Sequence, residues 1–82
     1  MKTLWLITFR SVTFAQRAQS QLKKAGIDSS IQRTPAALSD RGCGYCLQLR
    51  QWEIGQTLEK LREIPYMRVF YRNEGQWEQW QP

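Results

Sequence analysis

Two cysteines stand three residues apart, as Cys43-Gly44-Tyr45-Cys46. Glycine flanks the first on both sides, at Gly42 and Gly44, and Arg41 comes just before. A glycine takes side-chain cover away from a neighbouring sulfur and admits backbone dihedrals closed to other residues. Successive N–H groups in such a loop can form a concavity that holds an anion. Positive charge from Arg41, with Arg10 or Arg50 as further cations, favours thiolate over thiol. The expected chemistry is therefore nucleophilic. Cys43 is the accessible, low-pKa thiolate, and Cys46 is a second, resolving thiol at the start of a strand.

The rest of the composition narrows this chemistry. The 82 residues contain no histidine, which excludes imidazole catalysis and histidine-liganded metal within the chain. Two cysteines cannot fill a four-thiolate zinc site in one chain. Two chains could pool their Cys-Gly-Tyr-Cys motifs around one ion, and that is the metal alternative. The same four residues look like the dithiol motif of glutaredoxins. That motif opens a helix, whereas this one leads into a strand and lacks the support of a helix dipole. No cofactor is expected.

The net charge is +5, unevenly spread. Residues 1–52 carry eight basic and two acidic side chains, and residues 53–82 carry four and five. The cysteines lie in the basic part, which suits an anionic partner, nucleic acid included. With 41% hydrophobic and 23% charged residues the chain reads as a globular domain. One core is expected over residues 1–72, followed by a Trp- and Gln-rich tail, 73–82. The longest nearly apolar run, residues 4–9, is far below the roughly 20 residues of a membrane helix. No signal-peptide pattern follows Lys2, so the expected location is the cytoplasm.

Several elements must position the loop. Residues 2–10 read as a strand with two mostly apolar faces, Leu4, Leu6 and Thr8 against Trp5, Ile7 and Phe9, which suits a central strand. Residues 11–25 read as a helix with the stripe Ala15, Ala18, Leu22 and Ala25. Ser11 or Thr13 caps it, Lys23 and Lys24 occupy its last turn, and Gly26 ends it. Residues 27–33 form a weak strand, and residues 35–38 a single helical turn. In the strand 45–51, Leu47 and Leu49 oppose Cys46, Gln48 and Arg50. A second helix is expected over residues 52–64, with Ile54, Leu58 and Leu61 on one side and Pro65 as its stop. A last strand spans residues 66–72. The order strand-helix-strand-strand-helix-strand is an α+β, ferredoxin-like split βαβ arrangement: one antiparallel sheet with both helices on one face.

With these elements in place, the chain resembles the selenium/sulfur carrier protein-like domains of bacteria and archaea, over roughly residues 3–72. The resemblance rests on residues 7–13 (Ile-Thr-Phe-Arg-Ser-Val-Thr), on residues 22–27 (Leu-Lys-Lys-Ala-Gly-Ile), and on Thr34-Pro35 followed by Leu38-Ser39 and Cys43-Gly44-Tyr45. It implies that Cys43 carries sulfur or selenium as a persulfide or perselenide, between a donor and an acceptor protein. A carrier of this kind is not a turnover enzyme. Cys46 departs from the family pattern, in which a small apolar residue stands there. It could discharge the carried atom by forming a disulfide with Cys43.

A reading of another class is an RNA-binding or protein-interaction module. The expected fold is also that of the RNA-recognition motif, which stacks bases on sheet aromatics. Trp5, Phe9 and Phe70 beside Arg68 and Arg72 would supply such a face, although the ribonucleoprotein signature is absent. Left open, those aromatics would form a large exposed patch. Homodimerisation through that face, or capping by Trp77 and Trp80 in a helical turn, is therefore expected.

Overall fold

The computed structural model describes residues 2–38 and 44–81. The opening strand β1 (Thr3–Phe9) is central, as its two apolar faces require. It pairs antiparallel with β3 (Tyr45–Gln51) on one side and β4 (Val69–Asn73) on the other. Outside β3 lies β2 (Ser30–Arg33), and outside β4 lies β5 (Gln76–Trp80). The fold is α+β, with a five-stranded antiparallel sheet in the order β2-β3-β1-β4-β5. It is not the four-stranded sheet of the expected ferredoxin-like arrangement, because a fifth strand extends it.

That strand is the segment read as a tail. Asn73 pairs with Gln76 across a two-residue turn, Glu74-Gly75, in which both residues have positive φ, 53° and 81°. A turn of this hand matches the twist of a hairpin and closes it tightly. Trp77 and Trp80 therefore face opposite sides of a strand rather than one side of a helical turn. Glu74 carries the left-handed conformation without the tolerance of glycine or asparagine. Glu74→Asn should stabilise the protein by about 1 kcal/mol, the cost that asparagine largely avoids. An unchanged or lower midpoint in urea unfolding would contradict this.

Helix α1 (Val12–Lys24) starts at Ser11, whose hydroxyl accepts the Phe14 N–H at 3.5 Å. Of the two caps open to the sequence, Ser11 is the one used. At the far end Gly26 takes φ +81°. The Ile27 N–H then reaches Leu22 O at 2.9 Å and the Gly26 N–H reaches Lys23 O at 3.0 Å, a paired closure that satisfies the last carbonyls. Residues 36–38 form one turn of 3-10 helix, closed by the Leu38 N–H to Pro35 O at 2.9 Å.

Helix α2 (Gly55–Lys60) is much shorter than the expected 52–64. Trp52 lies outside it and is exposed. Beyond Lys60 the chain continues in tight three-residue bonds, Leu61 N–H to Leu58 O and Ile64 N–H to Leu61 O. Pro65 sets only the outer limit, since it disfavours helical backbone at the residue before it, Ile64. The apolar stripe survives, since Ile54, Leu58, Leu61 and Ile64 are all buried.

Both helices cover one face of the sheet. There Trp5, Ile7 and Phe9 pack with Leu47, Leu49 and Val69 beneath Ala15, Ala18, Leu22 and the α2 stripe. Trp5 also donates its indole N–H to Gln51 O at 3.1 Å and meets Tyr71 and Trp80 edge-on or tilted. Trp5 and Phe9 thus belong to the core and not to an open face. The reason is the pleat, which sends odd-numbered β1 residues to the helix side. The second face is closed at its centre as well. Leu6, Cys46 and Phe70 are buried there, with Leu38 and Trp77 packed on them. The aromatic patch that homodimerisation was to cover does not form among the described residues. The large apolar side chains exposed among the described residues are Trp52, Tyr66 and Met67, all outside the strands.

Candidate functional site

Cys43, Gly42 and Arg41 lie outside the described residues. The chain re-enters at Gly44, with φ +122°. A Cβ on Gly44 would stand 3.3 Å from Phe9 O and 3.7 Å from Thr34 Oγ1. The Thr34 N–H donates to Gly44 O at 3.2 Å. The described end of the cysteine loop is therefore tied to the last residue of β1 and to the residue after β2. The positive φ strains any side chain at 44, and the tight approach to Phe9 O adds to the preference for glycine.

Of the cations the sequence singles out, Arg10 lies at this end of the sheet, Arg50 does not, and Arg41 falls outside the described residues. Arg50 pairs with Leu4, six residues beyond Gly44 along β3, a span of roughly 20 Å in extended chain. Arg10 follows Phe9 directly and is exposed. Arg33, the last residue of β2, places its guanidinium 5.9 Å from the Tyr45 ring centre. Sequence reading passed over Arg33, because only the β2–β3 register brings it opposite Tyr45.

Cys46 sits in the second position of β3, between Thr8 of β1 and Gln32 of β2. It is fully enclosed, at 0% exposure. Its Sγ–H donates to Arg33 O at 3.9 Å. Burial pushes the thiol pKa up, and the nearby Thr34 and Gln32 side chains pull weakly the other way. At neutral pH Cys46 is a thiol inside an apolar cluster. Such a group does not present a ligand to a second chain. Among the described residues no cluster of three or more metal-ligating side chains occurs. Phe70, proposed as a base-stacking surface, is 6% exposed and belongs to the same buried cluster.

These features define a small α+β domain in which Gly44, the residue after Cys43, is held at one end of the sheet between β1 and β2. A family model described as "Putative Se/S carrier protein-like" matches residues 4–67, and the chain belongs to that family. The match includes Cys43 and Cys46 and ends before the β4–β5 hairpin. Neither a curated protein nor a solved structure matches the chain.

Proposed function

We propose that the protein carries sulfur or selenium on Cys43, between a donor and an acceptor protein, with Cys46 as its second thiol. Membership of the carrier family, over a match that includes Cys43, carries this reading. In the loading step the Cys43 thiolate attacks the outer sulfur of a donor persulfide. A new sulfur–sulfur bond forms on Cys43, the donor's own sulfur–sulfur bond breaks, and the donor thiolate leaves with the electron pair. Positive charge near a thiol favours the thiolate, and Arg33 and Arg10 lie at the end of the sheet where the chain leads into Tyr45. We place the protein in the reducing cytoplasm, where such thiols persist. No described helix is long and apolar enough to cross a membrane.

Enclosure of Cys46 shields it from free thiols, so release through Cys46 depends on a sulfur delivered by its own chain. The chain incubated with a cysteine desulfurase and cysteine should gain the mass of one sulfur atom on Cys43. The adduct should vanish in Cys43→Ser and accumulate in Cys46→Ser. Absence of the adduct from Cys46→Ser would overturn the carrier reading.

A further inference from the structure

The end of the sheet away from Gly44 carries a row of side chains on the face opposite the helices. Arg50 of β3 pairs with Leu4 of β1. Trp5 pairs with Tyr71, so the same register sets the next residue of β4, Arg72, on the other side of Leu4. Arg72 pairs in turn with Trp77 of β5. Cross-strand partners share a face. Arg50, Leu4, Arg72 and Trp77 therefore form one line across four strands, with the two arginines roughly 10 Å apart, two strand spacings. Both arginines are exposed, and Leu4 and Trp77 are half-buried. The Arg72 guanidinium lies 5.1 Å from the Trp77 ring centre, while Trp77 packs on Leu6, Cys46 and Phe70 beneath. The helix side is different, because its cations stand among carboxylates. Arg17, Lys24 and Arg62 border the groove between α1 and α2 together with Glu59 and Glu63. Glu78 pairs with Tyr71 on that same side of the sheet. Beside the row, Asp28 borders a hollow that it shares with Lys2 and Arg50, one carboxylate to two cations.

We propose that this row binds single-stranded nucleic acid, each arginine taking a phosphate and a base stacking on the guanidinium that Trp77 holds. A flat cationic surface with a stacking platform suits a single strand, whose phosphates meet the cations and whose unpaired bases lie on aromatic or guanidinium planes. A protein partner fits less well. Protein interfaces centre on large apolar side chains and are poor in charge. The exposed large apolar residues, Trp52, Tyr66 and Met67, lie outside the strands. A duplex keeps its bases stacked on one another and leaves the platform unused. Binding of this kind is independent of sulfur transfer.

The test is fluorescence anisotropy of the full chain with a labelled oligoadenylate of about ten nucleotides, as RNA, as DNA and as a duplex with its complement. Both single strands should bind, because phosphates and base faces are common to them, and each should bind about tenfold more tightly than the duplex. Arg50→Gln and Arg72→Gln should each lower the slope of log affinity against log salt by about 0.7, the share of one phosphate contact. Arg72→Lys keeps the charge and loses the plane, so it should leave the slope unchanged and still weaken binding about tenfold. Arg62→Gln removes the same charge from the helix side. Exposed charges further apart than about 8 Å are largely screened at physiological salt, so it should leave binding within about twofold. All these positions are exposed, and circular dichroism checks that each variant is folded. An equal loss in Arg62→Gln and Arg72→Gln would mean a response to net charge alone and would overturn the assignment. A duplex bound as tightly as the single strands would overturn it too. Displacement of the RNA by polyglutamate at equal charge would identify an acidic protein surface as the partner instead.

Discussion

Cys46 in the native protein should react with iodoacetamide at least about a thousandfold more slowly than in the same chain unfolded in urea. Its sulfur has no exposed surface, and burial keeps it protonated, the unreactive form. A small reagent must wait for β3 to part from β1 or β2. β1 and β3 pair along their whole length, Thr3 with Gln51 through Phe9 with Tyr45. Opening such a pair costs close to the global stability, about 5 kcal/mol or more for a domain of this size. Each 1.4 kcal/mol is about tenfold in rate, so about 5 kcal/mol gives more than a thousandfold. A native rate within tenfold of the urea rate would show that the cluster around Leu6, Cys46 and Phe70 opens freely.

The same burial sets a pH dependence. The folded Cys46 pKa lies above the unfolded value, so the folded state holds its proton longer. Stability is complete below about pH 8.5, the unfolded cysteine range, and falls as pH rises through the higher folded value. Cys46→Ala should lack that alkaline component in urea melts.

Phe9→Ala should cost about 3–5 kcal/mol, most of the stability of a small domain. Phe9 heads the fully enclosed side chains at 1% exposure and lies where β1 meets the helix layer. Truncation removes apolar area and leaves a void that the surrounding strands cannot fill. At roughly 4–8 °C per kcal/mol, the melting midpoint should fall by more than about 12 °C by circular dichroism. Trp52→Ala, at a side chain 67% exposed, should stay within about 0.5 kcal/mol and serves as the control. A small effect at Phe9 would mean that the helix layer is looser than its packing implies. Phe9 also bears on the cysteine loop, because its carbonyl stands against Gly44.

The β4–β5 hairpin shows where a sequence signal was present but misread. Two tryptophans three apart fit a helical turn, so residues 76–80 were not read as a strand. Asn73-Glu74-Gly75 was the available clue, since a glycine there permits the tight turn that pairs Asn73 with Gln76. In an edge strand Trp77 covers Cys46 on one face while Trp80 meets Trp5 on the other. Helix α2 failed in the opposite direction. Its apolar spacing was correct and its residues are buried, but spacing alone does not say how many turns close before Pro65.

Local rules determined much of this protein from its residues alone. The stripe Ala15-Ala18-Leu22 and the Ser11 and Gly26 ends define α1. The two-sided apolar pattern makes β1 central, and residues 7–13, 22–27 and the segment from Thr34-Pro35 to Tyr45 together carry the resemblance to the family that the match over residues 4–67 shows. Tertiary structure decided that Cys46 is enclosed, that Arg33 and not Arg50 stands beside Tyr45, and that the Thr34 hydroxyl has no hydrogen-bond partner among the described residues. Alternation tells which face a strand residue points to, but what covers that face comes from elsewhere in the chain. The cover over Cys46 is assembled from β1, β4, β5 and the turn at Leu38, four segments that only folding brings together.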